Sequence, residues 1–252
     1  MQLVARELRR SGKRIGFVPT MGALHEGHLS LVRSARAQSA VVVVSIFVNP
    51  LQFGPSEDFS KYPRTFERDR QLLEAEKADI IFAPTNEAMY PPGAKTIVEV
   101  TELADKLDGR SRPGHFKGVT TVVAKLFNIV QPDRAFFGQK DAAQVANLKR
   151  MVRDLNMDIE IIVRPIVREA DGLALSSRNT YLNAGQRKQA LILSRVLHRI
   201  QFLRDRGERS AAALIEKGRE LFAEEPAAKL DYLEIVDPDT LDPVEDVSKG
   251  AL

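Results

Sequence analysis

The chain has 252 residues, and its 37 Lys and Arg against 34 Asp and Glu leave a net charge of +3. It contains no cysteine, which excludes a disulfide framework and any thiolate metal or redox site. The charges are interspersed, without the basic stripe typical of nonspecific nucleic-acid binding, and no stretch reaches the ~18 apolar residues that span a bilayer.

The first predicted elements already indicate a globular α/β protein. Residues 1–14 are basic, but no apolar core with a small-residue cleavage site follows them, so we expect no secretory signal and a cytoplasmic location. From there on, short apolar runs alternate with helical patterns. The predicted strands are 14–19, 41–48, 79–83, 96–100, 134–137 and 158–163, and the helices are 29–38, 66–77, 118–131 and 140–156. This alternation predicts an α/β fold, a Rossmann-like doubly wound parallel sheet.

The pattern changes near residue 167. Beyond Asn179 the sequence predicts two helices, 184–206 and 210–224, followed by one strand, 230–236. We therefore expect two domains, a Rossmann-like domain over 1–167 and a smaller α+β domain over 168–252.

The sharpest polar segment follows the first predicted strand. His25 and His28 lie at the start of a helix, where amides and the helix dipole favour anions. Gly22 and Gly27 let the backbone approach a ligand closely, and two imidazoles can donate to phosphate oxygens. Two solvated histidines at a helix N-terminus remain the alternative. The i, i+3 spacing with an intervening glycine does not match the zinc-binding pattern of metalloproteases.

Other polar segments follow later strands. Lys140 and Asp141 begin a helix, where the lysine could meet a phosphate or act only as a surface residue. The loop around Arg112 could close over an anion or be structural. A serine-serine-arginine segment at 176–178 combines hydroxyls with a permanent charge suited to phosphate, and it lacks the elbow of a serine nucleophile. Neither a P-loop nor a dinucleotide fingerprint occurs.

Three carboxylates offer a magnesium alternative. Glu57, Asp58 and Asp69 could hold the ion through oxygen ligands and water, although such residues are more often solvated. The sequence assigns no specific metal ligand.

Taken in order, these segments resemble the pantothenate synthetase (pantoate–β-alanine ligase) family, within the wider nucleotidyltransferases that carry a histidine-x-glycine-histidine loop. The matching segments are residues 18–31, 47–53, 57–58, 62–65, 112–119, 137–141 with Gln144, and 171–179. Single motifs are shared more widely, whereas the ordered set over roughly residues 14–183 is specific to this family.

The resemblance implies an ATP-dependent ligase. Pantoate would attack the α-phosphorus of ATP to give pantoyl adenylate and pyrophosphate, and β-alanine would then form the amide and release AMP. Magnesium would accompany ATP, and the enzyme would be a homodimer with a C-terminal lid domain. Relatives usually continue past Leu252 through one more hydrophobic strand, so we expect the small sheet to be incomplete.

The resemblance also implies roles for individual residues. His28 and His25 would act on the phosphates with Lys140, Ser176, Ser177 and Arg178. The implied ATP contacts are Met21, Gly22, Ala23, Leu24, His25, Glu26, Gly27, His28, Gly138, Gln139, Lys140, Asp141, Val167, Leu175, Ser176, Ser177 and Arg178. The implied pantoate and β-alanine contacts are Gln52, Gln144, Asn49 and Arg112.

Two alternatives stay open at this point. Another nucleotidyltransferase would join a nucleotide to a phosphorylated alcohol or base, and a non-catalytic module would bind ATP without releasing pyrophosphate. The two glutamines that follow strands favour a small hydroxy acid over a nucleobase.

Overall fold

The computed structural model describes residues 1–252, which divide into two compact units, Met1–Ile166 and Val167–Leu252. The first unit holds a five-stranded parallel sheet in the order β3-β2-β1-β4-β5. Its strands are β1 Ile15–Thr20, β2 Val41–Ile46, β3 Ile80–Phe82, β4 Arg134–Gly138 and β5 Glu160–Arg164. The predicted α/β fold with a parallel sheet is confirmed.

Seven helices belong to the same unit. They are α1 Gln2–Arg10, α2 Glu26–Gln38, α3 Phe66–Ala75, α4 Asn86–Met89, α5 Asp108–Ser111, α6 His115–Val130 and α7 Ala142–Asp154, with short 3₁₀ turns at Pro50–Gln52 and Leu103–Asp105. No helix of the protein combines the length and apolarity needed to cross a membrane.

The central strand β1 is covered on both faces. Val18 belongs to a buried cluster with Val32 and Ala35 of α2, whereas the ring of Phe17 meets the ring of Phe127 on α6 edge to face at 6.4 Å. Because successive side chains of a strand point to opposite faces, α2 and α6 lie on opposite sides of the sheet. Burial on both faces explains why β1 and β2 are almost continuously apolar.

The strand predicted at 96–100 is wrong. The N–H of Val98 donates to Oγ1 of Thr121 at 3.0 Å, and its carbonyl accepts from Oγ1 of Thr120 at 2.6 Å. This segment therefore binds two threonine side chains of α6 instead of joining the ladder. The β-branched sequence suits an extended backbone, but it does not identify the hydrogen-bonding partner.

The second unit is mainly helical, with α8 Ala184–Ala190, α9 Ile192–Asp205, α10 Ala211–Phe222 and a 3₁₀ turn at Ser177–Tyr181. The predicted single helix over 184–206 is thus divided at Leu191, whose N–H bonds to the carbonyl of Lys188 with 3₁₀ spacing. A cluster of Ile192, Val196, Phe222 and Leu233 forms one apolar centre of this unit.

The strand predicted at 230–236 does not form either. Val236 exchanges backbone hydrogen bonds with Leu252 at 2.8 and 3.0 Å, and it makes an isolated bridge to Pro243. Hydrogen bonds from the N–H of Val244 to Ile235 and from the N–H of Asp237 to Asp242 flank that bridge, and no second bridge extends it into a ladder. The β structure of this unit therefore consists of isolated bridges.

Candidate active site

The predicted catalytic segments of the first unit meet at one edge of the sheet. β1 pairs with β2 on one side and with β4 on the other, so the direction of the crossovers changes between β1 and β4. Open parallel sheets bind ligands at the carboxyl ends of the strands at such a switch point. The loop after β1, residues 20–28 (the histidine loop), and residues 138–141 after β4 both lie there.

The histidine loop is held from inside the protein. The carboxylate of Asp69 accepts the N–H groups of Ala23 and Leu24, each at 2.8 Å. Oγ1 of Thr20 accepts the N–H of Gly22 at 3.2 Å and donates to the carbonyl of Ser45 at 2.7 Å. The amides of Ala23 and Leu24 are therefore committed to Asp69, and anion binding by this loop is left to the start of α2.

The two histidine rings form a close, tilted pair at the start of α2. Their ring centroids lie 4.1 Å apart, and the backbone N–H of His25 donates to Nδ1 of His28 at 3.4 Å. Since Nδ1 accepts this bond, the proton of the neutral imidazole is on Nε2. Glu26 and Gly27 occupy the first helical turn, where backbone amides have no intrahelical partner.

His28 is uncharged at neutral pH. Its surrounding protein desolvates the ring and lowers its pKa to about 3, and the nearby charges of His25 and Lys140 contribute to that lowering. The residue keeps partial contact with solvent, so one side of the ring can face a ligand. His28 is therefore a neutral hydrogen-bond donor through Nε2–H.

Residues 138–141 connect the carboxyl end of β4 to α7. Gly138 ends β4, and the N–H of Gln139 donates to the carbonyl of Arg164 at 2.8 Å. Nζ of Lys140 lies 3.3 Å from Oδ1 of Asp141, and the lysine side chain is 39% exposed. Lys140 is near enough to His28 to influence its pKa, yet it is available to an incoming anion.

Gln52 lies beside the histidine loop, and Asn49 holds it there. Nε2 of Gln52 donates to Sδ of Met21 at 3.2 Å, and its Oε1 accepts from Nδ2 of Asn49 at 3.2 Å. Asn49 is 1% exposed and also binds the hydroxyl of Tyr90 and the carbonyl of Gly118. The Asn49 side chain is thus occupied within the protein, and its geometry supports orientation of Gln52 more than direct contact with a substrate.

Arg112 is bound by a carboxylate of its own protein. Its Nε and Nη2 donate to the two oxygens of Glu57 at 2.8 and 2.7 Å, and its Nη1 lies 3.0 Å from Nε2 of His115. Nδ1 of His115 is 2.8 Å from the carbonyl of Gln52. Arg112 therefore reaches the Gln52 segment through His115, with much of its charge compensated. Gln144, on the first turn of α7, is half-buried.

The remaining predicted residues belong to the second unit. The N–H of Leu175 donates to the carbonyl of Val167 at 3.0 Å, and Oγ of Ser176 accepts the N–H of Arg178 at 3.2 Å. Ser177 and Arg178 begin a 3₁₀ turn. Hydroxyls and a guanidinium thus sit on a short turn at the end of a backbone hairpin.

Arg187 on α8 stabilises this hairpin through two ion pairs, a role that the sequence did not indicate. Its guanidinium binds Glu169 at 2.7 and 3.0 Å and Asp171 at 2.8 Å. Glu169 also accepts from Asn179. Hydrogen bonds from Arg187 lower the pKa of Glu169, whereas for Asp171 the N–H of Leu173 is the larger cause of the lowered pKa.

The carboxylates do not form a metal centre. No group of three or more His, Asp or Glu residues is arranged to hold an ion. Asp69 is completely buried against the histidine loop, and Glu57 is paired with Arg112. The expectation that these two carboxylates are solvated is therefore wrong, and neither is positioned as a magnesium ligand.

Comparisons with known proteins identify the family of this chain. The family model described as pantoate–β-alanine ligase matches residues 1–252. A pantothenate synthetase from Koribacter versatilis is 64% identical over all of this chain and 87% of its own length. The crystal structure of pantothenate synthetase from Thermus thermophilus superposes with a TM-score of 0.93 at 50% identity, covering 98% of this chain and 90% of that one.

A further solved structure carries ligands. It is a pantoate–β-alanine ligase from Francisella tularensis in complex with β-γ ATP and β-alanine, with a TM-score of 0.74 and 39% identity over 86% of this chain and 82% of that one. Together, the parallel α/β fold and these matches define a ligase. The chain belongs to the pantoate–β-alanine ligase family, and the resemblance found in its motifs is confirmed.

Proposed function

We propose that the protein condenses (R)-pantoate with β-alanine in two steps at the β1/β4 edge. In the first step a carboxylate oxygen of pantoate bonds to the α-phosphorus of ATP, and the bond to the pyrophosphate oxygen breaks. In the second step the amine of β-alanine bonds to the acyl carbon, loses a proton, and displaces AMP. The observation that carries the proposal is the position of His28 and Lys140 on the two loops of the switch point, in a member of this family.

The chemistry of the first step suits these two residues. Pantoate is already ionised at neutral pH, so the step needs charge stabilisation more than a base. His28, held neutral with its proton on Nε2, would donate to a phosphate oxygen, and Lys140 would contribute a positive charge. His25 and the first amides of α2 complete the proposed phosphate site.

The other proposed roles follow the arrangement of side chains. Gln52 and Gln144 would bind the hydroxyl and carboxylate groups of pantoate, with Asn49 and Arg112 supporting the Gln52 segment. In the second unit, Ser176, Ser177 and Arg178 would contact the phosphates from their turn, and Val167 and Leu175 would contact the nucleotide. ATP would enter as its magnesium complex, with the ion held mainly by phosphate oxygens and water. We also propose a homodimer, which light scattering can test.

A coupled pyrophosphate assay tests the reaction. With MgATP, pyrophosphate should be released only when (R)-pantoate is present, and AMP should appear in quantity only after β-alanine is added. (S)-pantoate is the matched control, because it has the same charge and composition. Pyrophosphate release that ignores pantoate would contradict the proposal, and tight ATP binding without any release would support a non-catalytic module.

A further inference from the structure

We propose that Asp69 is a positioning residue for the histidine loop, and that its carboxylate fills an anion site made by the loop backbone. The inference rests on the proposed function, because the loop it positions carries His25 and His28. Asp69 lies on α3 and is 0% exposed. The sequence suggested only a solvated residue or a magnesium ligand at this position.

Both carboxylate oxygens of Asp69 are used by the protein. Oδ2 accepts the N–H of Ala23 at 2.8 Å, and Oδ1 accepts the N–H of Leu24 at 2.8 Å and the hydroxyl of Thr65 at 3.2 Å. The preceding residue of α3, Arg68, donates to the carbonyl of Leu24 at 3.1 Å. Two consecutive side chains of α3 therefore fix both the N–H and the C=O of one loop residue.

The loop backbone needs such a partner. Gly22 and Ala23 have φ values of +81° and +49°, so both lie in the left-handed region. Successive N–H groups in such a turn converge into a concavity that attracts anions. In many proteins this kind of concavity receives a phosphate, whereas here the Asp69 carboxylate occupies it.

This occupation has a consequence for the substrate. A phosphate cannot bind the Ala23 and Leu24 amides while Asp69 accepts them, so the phosphates of ATP are directed to the start of α2 and the two histidines. The left-handed conformation of Ala23 is unfavourable for a residue with a side chain, and the hydrogen bond from its N–H to the carboxylate offsets that cost. Asp69 thus fixes the position of the loop that carries His25 and His28.

The test compares Asp69→Asn and Asp69→Ala with Glu74→Gln, an exposed carboxylate of the same helix. Amide hydrogen exchange of residues 21–28 should become faster in both Asp69 variants and stay unchanged in Glu74→Gln. The turnover number for pantoate-dependent pyrophosphate release should fall by up to about 10²-fold, the loss that a displacement near 1 Å can cause. The KM for pantoate should change less than the turnover number, because Asn49 still holds Gln52 when its bond to Met21 of the loop weakens.

Formate should restore part of the turnover of Asp69→Ala. Asp69 lines a cavity of about 290 Å³ that also contacts Gly22 and Thr65, so a small carboxylate can reach the emptied position. Chloride at equal ionic strength is the control, and neither salt should raise the activity of the wild-type protein or of Asp69→Asn.

The outcomes separate this inference from the proposed function. If the wild-type protein releases no pantoate-dependent pyrophosphate, the proposed function fails, and the inference fails with it. If the wild-type protein is active and Asp69→Asn folds with unchanged loop exchange or near-wild-type turnover, only the inference is overturned. Should Asp69→Ala not fold, the isosteric Asp69→Asn decides the question alone.

Discussion

Arg112 and Glu57 face each other as a two-point pair, with both carboxylate oxygens accepting from the guanidinium at 2.7 and 2.8 Å. The side chains are only 28% and 24% exposed. The pair joins the segment after Gln52 to the residues that precede α6, and His115 links Arg112 onward to the carbonyl of Gln52. Arg112 is therefore part of the support beneath a proposed substrate contact.

A double-mutant cycle should measure this pair. For Glu57→Gln and Arg112→Met we expect a coupling free energy of unfolding of about 1 kcal/mol, at the upper end for exposed pairs because the contact is bidentate and partly buried. The exposed Arg70–Glu74 pair on α3 is the control and should couple by only about 0.3–0.5 kcal/mol. Equal coupling in both pairs would contradict a special role for Arg112.

The same pair predicts a pH dependence. The hydrogen bond from Arg112 lowers the pKa of Glu57 below its ordinary value of 4.5. A depressed carboxylate pKa stabilises the fold above the unfolded-state value and loses that contribution as the pH falls through the folded-state value. Chemical unfolding between pH 6 and 2 should therefore show the coupling begin to fall near pH 4.5 and disappear below the lowered pKa of folded Glu57. A coupling that stays constant down to pH 2 would refute the assignment.

His28→Ala should cut the rate of the first step by about 10²–10³, because one preorganised donor is lost. Single-turnover pyrophosphate release measures this, with circular dichroism to verify the fold and the exposed-helix variant His198→Ala as the control. A rate within a few-fold of the wild type would remove His28 from the proposed phosphate site.

Stability should rise with pH through His28 as it does through Glu57, although folding favours the neutral form of His28 and the charged form of Glu57. The ring has a pKa of about 3 when folded and 6.5 when unfolded, so the unfolded chain binds the extra proton between those values. Stability should rise with pH across that window, by up to about 1.4 kcal/mol per pH unit from this residue. In His28→Gln the profile should be flatter, and an identical slope in both proteins would show that another group is responsible.

Gly118→Ala should displace the backbone of Leu51 and Gln52 without altering the Gln52 side chain chemically. A methyl group at Gly118 would lie 2.3 Å from the carbonyl oxygen of Leu51 and 2.6 Å from the backbone nitrogen of Gln52. We expect a loss of about 1–3 kcal/mol in stability from overpacking and a higher KM for pantoate. Gly54→Ala, where nothing lies nearer than 3.8 Å, should leave both quantities near wild type. An unchanged KM in Gly118→Ala would argue against Gln52 as a pantoate contact.

Arg187→Met should loosen the hairpin that carries the serine-serine-arginine turn. Loss of the guanidinium removes the ion pairs to Glu169 and Asp171, so hydrogen exchange over residues 167–179 should increase. Turnover should fall several-fold, because the ordering of a loop over the substrate can limit kcat. The neighbouring exposed Lys188→Met is the control. Faster exchange with unchanged turnover would show that order in this turn does not limit the reaction.

The sequence predicted the sheet well, because its buried strands are short, apolar and β-branched, and the family resemblance is confirmed by the comparisons. It failed at 96–100 and at 230–236, where the pattern suits an extended backbone. The first segment bonds to threonine side chains, and the second makes only an isolated bridge and a pair of bonds to Leu252. It also did not predict the contacts that Asp69 and Arg187 make. Whether a carboxylate is solvated or buried against a loop depends on residues 45 positions away, which no local pattern encodes.

The pairing of β1 with β4 sets the order in which the site can assemble. Asp133, just before β4, binds the N–H of Ile15 across a separation of 118 residues. Contacts so distant along the chain form slowly, because closing the intervening loop costs conformational entropy before the contact contributes any stabilisation. A nascent chain that ends before β4 would already contain both histidines but not Lys140, so its phosphate site would be incomplete until the middle of the sheet closes.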